Sequence, residues 1–79
     1  MNLYLLEQDV NSRYDTYDSC VVVAESEEAA RLINPEGAEF GYEWTTWAHD
    51  PTYVTVTYIG VATDNLEAGT IICSSFNAG

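Results

Sequence analysis

The chain has no lysine and only two arginines, Arg13 and Arg31, against thirteen carboxylates. Over 79 residues this leaves a formal net charge of -11. Such a chain is a poor direct ligand for DNA or RNA, because phosphate contacts need lysines or arginines to displace counterions. An anionic lipid surface repels it for the same reason. Charged residues make up only 19% of the chain, below the roughly 25% of an average domain. Missing base, more than surplus acid, therefore causes the imbalance. A one-signed surface repels itself and weakens the compact state, so tolerance of that penalty points to a use for the negative field. The expected user is a partner that ordinarily binds a polyanion.

Other absences narrow the function further. Apolar residues come in short runs, far below the ~20 needed for a membrane-spanning helix. No basic stretch precedes the first apolar run, so the N-terminus does not read as a secretory signal. Glycine-rich phosphate loops, paired CxxC units and serine elbows are missing. Cys20 and Cys73 lie far apart inside apolar runs, which reads as buried reduced thiols. Neither has a second metal ligand nearby. The single histidine, His49, neighbours Asp50, but with no nucleophile to complete a set the pair reads as a turn device. Asp9, Asn11, Asp15 and Asp18 match no calcium-loop spacing. The expectation is a non-enzyme with no cofactor and no metal.

What is present describes one folded domain over residues 1–79. A hydrophobic content of 47% with 13% aromatics is too rich for a disordered acidic tail. Asn2 to Glu7 (NLYLLE) and Ser19 to Ala24 (SCVVVA) read as strands in the sheet interior, joined as an antiparallel hairpin by Gln8 to Asp18. Ser26 caps a short helix whose Glu27 and Glu28 complement the dipole. Ala29, Leu32 and Ile33 form its apolar face, and Asn34-Pro35 stops it. After a connector (Pro35 to Gly41), Tyr42 to Trp47 (YEWTTW) reads as a strand and Ala48 to Pro51 as a turn. Thr52 to Ala62 and Thr70 to Phe76 read as two further strands, separated by a polar loop. The order β-β-α-β-β-β predicts an α+β fold: a mostly antiparallel four- to five-stranded sheet with one short helix on one face. The uncovered face should present polar and aromatic residues.

The segment best suited to contact is Asp9 to Asp18, where Tyr14 and Tyr17 interleave with Asp9, Asp15 and Asp18. Tyrosine offers rigid contact area with a polar tip, and carboxylates can replace phosphates opposite arginine or lysine. A second acidic cluster comprises Glu25, Glu27 and Glu28; a third comprises Glu36, Glu39 and Glu43.

The stretch YLLEQDVNSRYDTYDSCVVVAESEEAARLINP, with the ending SSFNAG, resembles small acidic proteins of bacteriophages and mobile elements, of the anti-CRISPR type. The resemblance covers about the first half of the chain and its last residues, and carries no diagnostic motif. It implies an inhibitor in the host bacterial cytoplasm that occupies a basic surface of a nucleic-acid-binding protein or complex, a CRISPR effector foremost, in the manner of a nucleic-acid mimic. Such an inhibitor would act as monomer or homodimer. A virion or mobile-element structural or assembly protein, acidic for solubility, is the alternative, and a halophilic origin would also account for the lost lysines.

Overall fold

The computed structural model describes residues 1–37, 40 and 45–77. Four strands form one antiparallel sheet: β1 (Asn2–Glu7), β2 (Thr16–Ala24), β3 (Thr55–Val61) and β4 (Ile71–Asn77). Their order, β3-β1-β2-β4, places the two most apolar runs in the middle. One helix, α1 (Glu27–Arg31), lies between β2 and β3 in the chain, and a single 3-10 turn (Pro51–Tyr53) leads into β3. The α+β class with an antiparallel sheet and one short helix is thus as expected. The strand count and order are not. Among the described residues no strand separates α1 from β3, so the order is β-β-α-β-β.

Alternation along the strands divides the sheet into two faces. Tyr4 and Leu6 of β1 lie opposite Val22 and Cys20 of β2, and all four are buried. With Ala24, Ala30, Trp47, Ala48 and Val54 they make the core. The other face carries half-buried Leu3, Leu5 and Val21 and fully buried Val23, beside exposed Thr57 and Cys73. No described helix covers it. That face is polar as expected, but along its strands it is otherwise aliphatic where aromatic residues were expected.

Ser26 caps α1 as its chemistry demands, its hydroxyl accepting from the Ala29 N–H at 3.1 Å. The helix ends at Arg31, earlier than the Asn34-Pro35 stop. Leu32 and Ile33 donate to the carbonyls of Ala29 and Ala30, three residues back, so the last turn tightens and rotates. Leu32 consequently points outward, 66% exposed, and Ala30 takes the buried position expected of it. Arg31 clamps this end, donating to the carbonyls of Val54 and Pro51.

The expected strand Tyr42–Trp47 falls partly outside the described residues, at Tyr42 to Trp44. Its remainder, Thr45 to Trp47, joins no strand. The reason is long-range: the carbonyls of Thr45 and Trp47 accept from the side-chain amide of Asn11, and that of Thr46 from the Tyr17 N–H. Trp47 is fully buried in this non-strand segment. The expected strand from Thr52 begins only at Thr55, since the Asp50 carboxylate accepts from the Thr52 N–H at 2.9 Å and starts the 3-10 turn. β2 begins earlier than Ser19, because Thr16 and Tyr17 find partners in Asn77 and Phe76 of β4.

Candidate partner-binding site

Glu7, Ser19 and Thr55 lie side by side across β1, β2 and β3, on the face that the helix leaves uncovered. Beyond this row β1 and β3 stop and the β1–β2 connection begins, while β2 runs on beside β4. There an open cleft of about 470 Å³ is lined by Glu7, Gln8, Asp9, Ser12, Asp18, Ser19, Tyr53 and Thr55. Three carboxylates converge on it with no cation among its walls.

Each acid is placed by a different device. Glu7 ends β1 and continues the alternation of Leu3 and Leu5. Asp9 extends from the turn behind a buried brace: Gln8 donates from Nε2 to the carbonyls of Asn11 (2.9 Å) and Tyr17 (2.7 Å), and accepts from the Asn11 N–H at Oε1 (2.9 Å). Asn11 in turn ties the turn to Thr45 and Trp47 at 2.9 and 3.0 Å. Asp18 is an extra residue in β2, since Tyr17 pairs with Phe76 and Ser19 with Ser75. Such a bulge re-aims a side chain, and here Asp18 reaches the cleft together with Ser19.

The sequence-derived contact residues divide between locations. Asp9 and Asp18 meet in the cleft. Tyr14 and Asp15 line a smaller cavity of about 190 Å³ with Arg13, Thr46 and His49. Tyr14 is 75% exposed. Asp15 adopts a left-handed backbone, φ 61°, a conformation aspartate tolerates better than most residues, so its place in the loop has a conformational reason as well. Tyr17 is half-buried, its ring edge-on to Phe76 with centroids 4.8 Å apart. Glu25, Glu27 and Glu28 stand exposed around the start of α1, and Glu27 faces Arg31 at 3.6 Å in the one ion pair among the described residues. Glu36 is exposed beyond the helix. Glu39 and Glu43 lie outside the described residues.

Glu7 and Tyr53 are site residues that sequence reasoning misses. Glu7 reads as the polar end of a strand, and only the pairing of three strands shows what stands beside it. Tyr53 reads as part of a strand and instead belongs to the 3-10 turn.

The residues with other chemistry are already engaged or apart. The Asp50 carboxylate is held by the Thr52 N–H and hydroxyl, at 2.9 and 2.8 Å. These bonds pull its pKa below the ordinary aspartate value, and they bind it to Thr52. Cys20 is buried, and desolvation, with the nearby Cys73 adding to it, pushes its thiol up to about 12. Cys73 is exposed, against the expectation of burial, and both are free thiols. Val21 pairs with Cys73, so Cys20 and Cys73 belong to adjacent strands but opposite faces. Among the described residues no three histidine, cysteine, aspartate or glutamate side chains form a metal-binding group, and no helix is long and apolar enough to cross a membrane.

No family model, curated protein or solved structure matches the chain. The chemistry of the cleft therefore stands by itself. Three exposed carboxylates, three hydroxyl side chains and the Tyr53 ring offer acceptors and a flat apolar wall, a combination suited to a guanidinium or ammonium group.

Proposed function

We propose that the chain is a phage- or mobile-element-encoded inhibitor of a bacterial defence system, acting in the host cytoplasm. It binds a basic, nucleic-acid-handling surface of a host protein, a CRISPR effector foremost. The observation that carries this reading is the convergence of Glu7, Asp9 and Asp18 on one cleft without a neutralising cation. Arginines that normally grip phosphate would insert there, with Tyr53 against the guanidinium plane. Glu25, Glu28 and Glu36, exposed elsewhere on the same small domain, extend the negative field and speed encounter with a basic partner.

The test is inhibition of target-DNA binding by purified effector complexes in the presence of the chain. Potency should fall as salt rises, and should be lost when Glu7, Asp9 and Asp18 are each changed to lysine. These positions are exposed, so the variant should retain its fold by circular dichroism. If lysine at all three leaves potency intact, the cleft is not the binding site.

A further inference from the structure

The outer strands of the sheet contain no charged residue. Neither β3 (TVTYIGV) nor β4 (IICSSFN) has an aspartate, glutamate, lysine, arginine or proline, although 15 of the 79 residues are charged. Among the described residues each has one neighbour in the sheet, β1 or β2, and no described strand pairs with the other edge of β3. Natural sheets protect such edges with charges, proline or strong bulges, because unpaired N–H and C=O groups are a template for another strand. β3 is the more adhesive of the two. It is rich in β-branched and aromatic residues, and Tyr58, Ile59 and Val61 are 56%, 49% and 72% exposed. From Thr55 to Tyr58 it runs in unbroken register opposite Glu7 to Tyr4, before a bulge at Ile59.

We infer that the free edge of β3 pairs antiparallel with β3 of a second copy, joining two four-stranded sheets into one. Charge distribution selects this occupant. A two-fold seam is built only from this chain's own residues, residue i meeting j and j meeting i, so a carboxylate in it would find no basic residue to pair with. In a chain with thirteen acids and two bases, a self-pairing edge must be neutral, and β3 is. An edge meant for a basic partner would gain from acids, and it has none. The nearest acids stand off the seam: α1 packs beside β3, and its Glu27 and Glu28 would approach those of the other copy. Their repulsion is screened by salt. Dimerisation should therefore tighten as salt rises, the opposite of binding to a basic surface.

Light scattering of the full chain over a range of protein and salt concentrations tests the proposal. The expected result is a mass twice the 8.8 kDa of the chain, with a dimer dissociation constant that falls at high salt. Ile59→Glu with Val61→Glu should raise that constant at least about tenfold, because like charges opposed across strands destabilise pairing. Oxidative trapping locates the seam. The variant Thr57→Cys/Cys73→Ser should crosslink to itself faster than the wild-type chain does through Cys73 on β4. A chain that stays monomeric at every salt concentration overturns the inference, as does faster crosslinking through Cys73. Either outcome leaves the acidic cleft untouched, since the cleft variants are read by inhibition and these by mass.

Discussion

The side chain of Gln8 pairs with both backbone groups of Asn11. Its Oε1 accepts the Asn11 N–H and its Nε2 donates to the Asn11 carbonyl, each at 2.9 Å. A single amide thus acts as a neighbouring strand would, closing the turn that presents Asp9. Both residues are buried, so the turn is held from beneath.

Replacing Gln8 by alanine should destabilise the domain by about 2–3 kcal/mol, because it strands buried backbone groups without partners. Gln8→Glu should also be costly, since an ionised carboxylate keeps the acceptor and loses the donor to Asn11 and Tyr17. Urea unfolding followed by circular dichroism gives both values. A loss below about 0.5 kcal/mol for Gln8→Ala, the low end for a single hydrogen bond, would mean that the brace is dispensable.

The cleft acids should oppose stability while serving binding. Glu7→Gln/Asp9→Asn/Asp18→Asn should raise the melting temperature at low ionic strength, and the gain should shrink towards zero near 1 M salt, where the screening length is roughly 3 Å. Thermal unfolding at several salt concentrations checks this. A gain independent of salt would point to a cause other than charge repulsion.

Asp50 should impose a pH dependence on the 3-10 turn. Its folded pKa lies below the ordinary aspartate value through the two bonds from Thr52. The stabilisation is therefore present in full above the unfolded value, and is lost as pH falls through it towards the folded one. Asp50→Asn keeps a capping acceptor but removes the titration. Wild type and variant should differ most near neutral pH and converge in acid, as melting curves across that range will record.

The two thiols should differ sharply in reactivity. With Cys20 raised to about 12 and buried, only about one in ten thousand of its thiols is ionised at pH 8, and the thiolate is the reactive species. Native protein should take up one equivalent of iodoacetamide, at Cys73, and unfolded protein two. Mass spectrometry of the labelled peptides distinguishes the sites.

Local chemistry makes much of this fold readable. The runs at Asn2 and at Cys20 are strands because both are short and apolar and the second is β-branched, and their near-continuous apolar character puts them at the centre of the sheet. Ser26 is a cap because Glu27, Glu28 and two alanines come directly after it. Local reading fails where long-range bonds override local preference. Thr45 and Trp47 have strand-like residues for neighbours, yet Asn11, more than thirty positions away, takes their carbonyls. Leu32 has the spacing of a core residue and loses that role to a tightened last turn. The cleft is half legible: Asp9 and Asp18 stand out as acids, whereas Glu7 gains meaning only through its neighbours Ser19 and Thr55 on other strands. Gln8, which holds the turn, carries no signal in its type alone.

The bulge at Asp18 separates two demands that a regular strand would bind together. The backbone of Asp18 still accepts from the Gln8 N–H, but its exposed side chain answers to neither the core nor a partner on β4, while Tyr17 and Ser19 keep theirs. The chemical character of the cleft can therefore be rewritten at this position by a single codon, with the architecture beneath it inherited unchanged. If the chain is the inhibitor proposed above, that is a place where recognition can drift without the fold having to follow.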